Sequence, residues 1–268
     1  MSKLKSNQAL QGFTLVELSI VIVIIGFLVA GIAAGANMVK QAEIRSVITD
    51  LQSYQTAYNN FVAKYNAVPG DMSTASSFWT GGACASVDAD CNGNGNGIIE
   101  AGSAVPGDEI RPALKELALA NMISAGITAL TDGTFAALSP GTNAPSSKIS
   151  GAGYFLAQGN NPTAGVATMV DTLTTGFFPS TTNVVFIGKT TTGDNLLNSA
   201  LIPEDAFSID QKMDDGTISG GNFIGSITGN IMSFDGVDVS AGNCAALATG
   251  YYDIATGSAA CVLGLGLN

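Results

Sequence analysis

A single carboxylate, Glu17, stands in an otherwise apolar run, QGFTLVELSIVIVIIG (residues 11–26). A charged side chain at the centre of a bilayer costs about 2.5–3.5 kcal/mol on insertion scales. A buried carboxylate that stays isolated tends to take up a proton, whereas one that meets an opposite charge stays ionised. The question is therefore why an apolar segment carries a carboxylate at its start.

A second group of oxygen-bearing side chains lies in residues 88–100, DADCNGNGNGIIE. The alternation approaches the EF-hand pattern, which needs a Gly at the sixth position and a bidentate Glu at the twelfth. Counted from Asp88, Gly93 is sixth but Glu100 is thirteenth, and counted from Asp90, Glu100 is eleventh. The alternative is a Gly/Asn turn whose side chains cap backbone groups. The tentative calcium ligands are Asp88, Asp90, Asn92, Asn94, Asn96 and Glu100.

Enzyme chemistry is not predicted. The chain has no His, which excludes Ser-His-Asp and Cys-His catalysis and His-ligated metals. The GNGNG run lacks the strand-to-helix context of a dinucleotide loop, and no pair of carboxylates is singled out. No cofactor is required, and calcium is the one ion that the pattern suggests.

The charge balance argues against nucleic acid as a partner. The 268 residues carry 10 Lys+Arg against 21 Asp+Glu, a net charge of −11, and contain no basic patch that could neutralise phosphates. Only 12% of the residues are charged, which suits a secreted β-rich domain.

The four cysteines form two pairs that are close in sequence, Cys84 with Cys91 and Cys244 with Cys261. In an exported chain an even number of cysteines indicates disulfides, and four cysteines allow three connectivities. We expect the local pairing. The alternative is reduced thiols in a cytosolic protein.

These residues must be positioned by a long N-terminal helix and a head. Residues 18–36 are almost wholly apolar and just long enough to span a hydrocarbon core, and 13–16 extend them. From residue 37 onward apolar side chains recur every three or four positions, as in an amphipathic helix. No proline interrupts residues 13–68, so the sequence predicts one continuous helix that ends at Pro69-Gly70.

The head that follows mixes helices, strands and Gly/Asn-rich loops. Helical spacing covers residues 111–125, and Pro203 with two acids behind it begins a short helix over 202–216. Strand-like runs occupy residues 153–158, 183–189 and 222–234, and loops occupy 80–108 and 139–150.

Gly12-Phe13-Thr14-Leu15-Val16-Glu17, after a short basic leader and before the apolar run, resembles the cleavage and methylation motif of type IV prepilins and type II secretion pseudopilins. The resemblance is strong over residues 1–66 and weaker over the head. It implies an α+β fold, with a long helix packed on a globular head that contains an antiparallel sheet. The implied domains are a leader (1–12), the helix (13–66, with 13–36 transmembrane or filament core and 37–66 amphipathic) and the head (67–268).

The resemblance also implies roles. A prepilin peptidase would cut after Gly12, Phe13 would be N-methylated, and Glu17 would pair with the N-terminal amine of a neighbouring subunit. Lys3 and Lys5 would hold the leader inside, so the head of this single-pass precursor would be periplasmic. The implied partners are other copies or related pilins and an inner-membrane assembly platform. The implied destination is a pilus or pseudopilus at the cell surface.

Other interpretations stay open. A secretory signal peptide would end at the small residues Ala34-Gly35-Ala36, and a plain signal anchor would stay in the membrane, but neither explains Glu17. Within the resemblance, the chain could be a minor, tip-located or membrane-held protein whose large head binds a ligand or a surface, as an adhesin does. One departure is that no helix-breaking Pro lies in the apolar half. The segment 244–261 resembles the disulfide-bounded loop of type IV pilins, with Tyr251 and Tyr252 as contact residues.

Overall fold

The computed structural model describes residues 12–79, 91–100, 109–124, 138–159, 182–190, 196–214, 216, 231–235, 244–246 and 251–267. The chain divides into two compact units between Glu43 and Ile44. Each unit is described by itself.

Helix α1, Leu15–Tyr65, begins in the first unit and ends in the second. Its end is set by Asn66, which takes a left-handed conformation (φ 50°) while its N–H still donates to the Val62 carbonyl at 2.8 Å. Asparagine tolerates this conformation, and it stops a right-handed helix. The helix thus ends within one residue of the predicted bound at 66, and Pro69-Gly70 follows in the turn.

In the second unit, α1 packs one face on the head. The Tyr54 ring lies 5.1 Å from the Tyr154 ring, and the Tyr58 hydroxyl accepts a hydrogen bond from Asn183 Nδ2 at 3.0 Å. The helical spacing seen in the sequence thus marks the face that is removed from water. The buried residues of α1 are Ile44, Val47, Leu51, Tyr54, Ala57, Tyr58 and Phe61.

The head contains a four-stranded antiparallel sheet in the order β1-β2-β6-β3. Its strands are β1 (Ala152–Gln158), β2 (Asn183–Lys189), β3 (Ile231–Asp235) and β6 (Cys261–Gly266). A separate two-stranded sheet pairs β4 (Ala245–Ala246) with β5 (Tyr251–Tyr252). In β1, β2 and β6 consecutive residues are buried, so both faces of this sheet are covered. The expected α+β fold, a long helix with an antiparallel head, is confirmed.

Two of the predicted strands, β1 and β2, match within one residue, but the central strand β6 was not predicted. Its sequence is CVLGLG, and glycine has a low propensity for β-strands. A Cβ at Gly264 would come within 2.8 Å of side-chain atoms of Phe186 and Val184, so the close packing of β2 on β6 requires glycine there. The predicted strand 222–234 survives as β3, and residues 222–230 lie outside the described part of the chain.

Three short helices complete the described head: α2 (Ala75–Phe78), α3 (Ile110–Leu119) and α4 (Pro203–Met213). Helix α3 ends earlier than predicted because Asn121 is left-handed (φ 56°) and closes a Schellman motif, in which the N–H groups of Asn121 and Met122 donate to the carbonyls of Ala118 and Leu117. Helix α4 has Pro203 in its first turn, as predicted, and ends at Met213 rather than at Gly216.

Three buried acids lie where the chain turns after α1. Glu116 Oε2 accepts a hydrogen bond from the Gly70 N–H at 2.7 Å, and Asp71 and Glu109 lie close enough to raise its pKa further by repulsion. Burial is the main cause, and it raises the pKa of Glu116 to about 9 and that of Glu109 to about 7. Glu116 is therefore neutral at pH 7 in the folded head.

This burial predicts a pH dependence of stability. Glu116 is protonated in the folded head but ionises in the unfolded chain above its ordinary pKa, so the contribution of Glu116 to stability is fully present below about pH 4.5 and is lost as the pH rises towards about 9. For one proton the free energy of unfolding falls by up to about 1.4 kcal/mol for each pH unit. Glu116→Gln imitates the neutral form and should have a shallower slope, measured by urea unfolding at several pH values.

The matched control is Glu204→Gln, which makes the same change on the exposed surface of α4 and should keep the wild-type slope. Equal slopes for wild type and Glu116→Gln would contradict a neutral Glu116.

Candidate functional site

The N-terminus of α1 is built as a reciprocal cap around Glu17. The Thr14 N–H and the Thr14 hydroxyl both donate to Glu17 Oε2 at 2.9 Å, and the Glu17 N–H donates to Thr14 Oγ1 at 3.2 Å. This is a capping box, in which the residue before the helix and the third helical residue satisfy each other's N–H groups. The carboxylate is thus fixed at the positive end of the helix dipole, which favours a negative charge.

The cap leaves part of the carboxylate available. Both hydrogen bonds to the carboxylate fall on Oε2, and Glu17 is exposed, so Oε1 is open to a further donor. Phe13 is 92% exposed and stands immediately before Thr14. The arrangement can therefore accept one further donor or cation at Glu17 without breaking the bonds to Thr14.

The helix that carries this cap has an apolar, uncovered surface. Its N-terminal half is long and apolar enough to cross a membrane, judged by length and composition. From Leu18 to Val39 it carries no charged residue, and its large apolar side chains are at least half exposed. An uncovered apolar surface of this length needs lipid or other apolar helices around it. The helix fits a membrane-anchored precursor.

The predicted calcium loop is described from Cys91 to Glu100, whereas Asp88 and Asp90 lie outside the described residues. Several of its side-chain oxygens accept hydrogen bonds from the backbone. Asn94 Oδ1 accepts from the Asn96 N–H and Asn96 Oδ1 from the Ile98 N–H, both at 2.9 Å. Glu100 Oε2 accepts from Asn94 Nδ2 at 2.6 Å.

The tentative ligand Asn92 is also engaged, since its Oδ1 accepts from the Ser76 N–H at 2.9 Å and its Nδ2 donates to Ser76 Oγ at 3.0 Å. Within the described ranges, no group of three or more carboxylates, cysteines or histidines is placed to hold a metal. In the described part of the loop, residues 91–100, side chains cap backbone groups, as the alternative interpretation predicts. The calcium site stays a prediction.

Two carboxylates from elsewhere organise this loop, and the sequence analysis missed them. Asp71 accepts hydrogen bonds from the N–H groups of Gly95, Asn96 and Gly97 at 2.6–3.0 Å. Glu109 accepts from the N–H groups of Asn94 and Glu100, both at 2.9 Å. These bonds join residues 9 to 26 positions apart, for which no local pattern exists.

The structure contains a disulfide between Cys244 and Cys261, with Cα atoms 5.0 Å apart. Cys91 is also disulfide-bonded, and its predicted partner Cys84 lies outside the described residues. Within the 244–261 loop, Tyr251 is 64% exposed, as a contact residue should be. Tyr252 is buried instead, and its hydroxyl bonds to Asp210 Oδ2 at 2.8 Å and Ser233 Oγ at 3.0 Å, so it braces the loop on α4 and β3.

Thr14 is the residue of the N-terminal site that the sequence analysis overlooked. The signal was present, since Thr14-Leu15-Val16-Glu17 has the T-x-x-E spacing of a capping box before an apolar run. The sequence analysis identified Glu17 alone, because it is the charged residue of the apolar run.

Comparison with known proteins identifies one segment of the chain. Residues 10–33 match the family model of the prokaryotic N-terminal methylation motif. No curated protein and no solved structure matches the chain significantly. The matched residues include Gly12, Phe13 and the whole cap around Glu17. The chain therefore carries the signature of type IV pilins and pseudopilins at the N-terminus of its long helix.

Proposed function

We propose that this protein is a structural subunit of a type IV pilus or of a type II secretion pseudopilus. The observation that carries the proposal is the methylation motif at residues 10–33, with one capped carboxylate at the start of an uncharged apolar helix. In this proposal α1 holds the precursor in the inner membrane and later packs among the helices of neighbouring subunits. The role is structural rather than catalytic.

Assembly would exploit the carboxylate of Glu17. Peptidase cleavage between Gly12 and Phe13 creates an amine that does not exist in the precursor. The amine of one subunit and the carboxylate of its neighbour would form an ion pair in an apolar surrounding, where attraction between charges is much stronger than in water. Because the bonds to Thr14 fall on Oε2, this pairing does not require the cap to open.

The processing step predicts the mass of the exported protein. Intact-mass spectrometry of protein sheared from cells should give a chain that begins at N-methylated Phe13, and Gly12→Val should leave the leader attached because a branched side chain occupies the cleavage junction. A mature chain that begins at unmethylated Asn37 would show a signal peptide instead and would overturn the proposal.

The capping geometry allows charge and cap to be tested separately. Glutamine serves the capping box as well as glutamate, so Glu17→Gln keeps the helix cap and removes the charge. We expect it to be cleaved normally but to be lost from sheared filaments. Thr14→Ala is the matched control: it removes the cap, at a cost of about 1 kcal/mol, and keeps the charge, so filaments should persist.

Filament yield and membrane-held precursor are measured by immunoblot in the same cells. If Thr14→Ala abolished filaments and Glu17→Gln did not, the cap rather than the charge would carry assembly, and the proposed ion pair would be wrong.

A second function, ligand binding by the head, is favoured by a cleft of about 870 Å³. Its wall includes Asp50 and Ser53 from α1, Asn121 and Met122 from the turn after α3, and Tyr154 from β1. Ligand sites commonly have volumes of about 300–1,000 Å³ and combine apolar walls with a few polar groups. We propose that the head of a minor, tip-located subunit would bind through this cleft.

The lining favours a neutral hydroxyl-rich ligand, such as a saccharide. Its described lining residues carry one carboxylate, Asp50, and no basic side chain, which disfavours an anionic ligand. The Tyr154 hydroxyl donates to Asp50 Oδ2 at 2.9 Å, so the carboxylate is oriented, and three serines also line the cleft. An oriented carboxylate accepts sugar hydroxyls in charge-assisted hydrogen bonds.

The saccharide hypothesis is tested with the purified full-length protein on arrays of neutral and acidic glycans, because part of the cleft wall lies on α1. Asp50→Asn still accepts the Tyr154 bond and should reduce the affinity for neutral glycans by about tenfold, which corresponds to one charge-assisted hydrogen bond. Glu43→Gln, the same change two turns earlier on α1 and outside the cleft, should have no effect. Preference for acidic glycans, or equal binding by both variants, would contradict the hypothesis.

A further inference from the structure

The loop between α2 and α3 contains three consecutive Asn-Gly pairs, residues 92–97. Asparagine is a chemically labile residue, and glycine after it offers the least steric hindrance to deamidation. The glycine nitrogen attacks the Asn side-chain carbon, a ring C–N bond forms, and the bond to the side-chain nitrogen breaks. Ammonia leaves with the proton of the glycine N–H, and water then opens the ring to aspartate or isoaspartate. An exposed chain with three such pairs should deamidate rapidly.

The three attacking N–H groups are all held. The Gly95 N–H donates to Asp71 Oδ1 and the Gly97 N–H to Asp71 Oδ2, both at 2.6 Å, and the Gly95 N–H also donates to the Asp71 backbone carbonyl at 3.0 Å. The Gly93 N–H donates instead to the Met72 backbone carbonyl at 3.2 Å. A nitrogen whose proton is held by a carboxylate cannot turn towards the neighbouring side chain without breaking that bond.

The side chains under attack are held as well. The Asn94 and Asn96 amide oxygens accept from the N–H two residues further on, at 2.9 Å in both cases. Each amide must therefore break a hydrogen bond before its side chain can rotate freely towards the nitrogen that would attack it. The bond from the Asn96 N–H to Asn94 shares its donor with Asp71, because the same N–H also donates to Asp71 Oδ1 at 3.0 Å.

We propose that Asp71 is a protecting residue that suppresses spontaneous deamidation at Asn94 and Asn96. It is 3% exposed, so water does not compete for its two oxygens. Asn92 is protected by a different route, through the Met72 carbonyl and the bonds of its side chain to Ser76. Asp71 therefore guards the second and third pairs and not the first.

Loss of this protection would damage the head. Asn94 Nδ2 donates to Glu100, and the Asn94 N–H donates to Glu109. Deamidation of Asn94 would replace the Nδ2 donor by a second carboxylate and set two negative charges in contact. Isoaspartate would lengthen the backbone of the loop that Asp71 and Glu109 hold.

The test compares the three pairs within one molecule. Full-length protein is incubated in chelator-containing buffer at pH 8, and isoaspartate and aspartate at residues 92, 94 and 96 are measured by peptide mass spectrometry. Asp71→Asn retains one acceptor oxygen and should raise the rate at Asn94, Asn96 or both by about tenfold, as expected for a lost hydrogen bond to a charged group. The rate at Asn92 should not change.

Glu109→Gln is the matched control, because it weakens the same loop through Asn94 and Glu100 without touching a glycine N–H. Acceleration by Glu109→Gln equal to that of Asp71→Asn, acceleration of all three pairs together, or no acceleration in a folded Asp71→Asn would overturn the proposal.

A measurement on the wild type stands even if Asp71→Asn fails to fold. Hydrogen exchange should show the Gly95 and Gly97 amides protected although both residues are exposed. Rapid exchange at these two amides would mean that their protons are not held, and Asp71 could not be the protecting residue.

Discussion

Hydrogen bonds from backbone N–H groups to carboxylates join the segments of the head. Asp71 receives three such bonds from the Asn-Gly loop, and Glu109 receives two. Glu116 receives the Gly70 N–H. Removal of one of these acids would leave buried donors without a partner, which costs more than the bond itself contributes. The turn after α1, the loop and α3 consequently form one interlocked unit.

Hydrogen bonds of the same kind, from a backbone N–H to an aspartate, also hold both ends of β3. Asp214, just after α4, accepts the Ile231 N–H at 3.1 Å where β3 begins, and Asp235 accepts the Cys244 N–H at 2.7 Å where β3 ends. The disulfide then connects Cys244 to the first residue of β6. A chain with 21 acids and 10 basic residues thus uses its excess carboxylates to fix irregular segments, which need partners for their N–H groups.

The sequence predicted those parts of the structure that follow from local periodicity. Helix α1, α4 and the strands β1 and β2 have patterns that one segment displays alone. The end of α3 is predicted too late because the left-handed conformation of Asn121 has no signal in the helical spacing, whereas the end of α1 matches its predicted bound within one residue. Strand β6 was missed because its glycines lower strand propensity, although Gly264 is required by the Phe186 side chain opposite.

The candidate sites also divide into one with a local sequence pattern and one without. The motif around Gly12 and Glu17 is local and was found, and even its overlooked member, Thr14, lies three residues away from Glu17. The anchoring of the Asn-Gly loop depends on Asp71 and Glu109, which lie on either side of it in the chain and meet it only after folding. Such contacts leave no periodicity in the sequence.

The capping box by itself does not explain why residue 17 is charged. A cap of this kind contributes about 1 kcal/mol, and glutamine would provide it without a charge. The helix dipole favours a negative charge at this end by about 0.3–1 kcal/mol, which is less than the several kcal/mol that burying an unpaired charge costs. The geometry separates the two roles, because both bonds from Thr14 fall on one carboxylate oxygen. In the proposed filament this charge would be balanced from outside the helix, by the amine released at Phe13 of a neighbouring subunit.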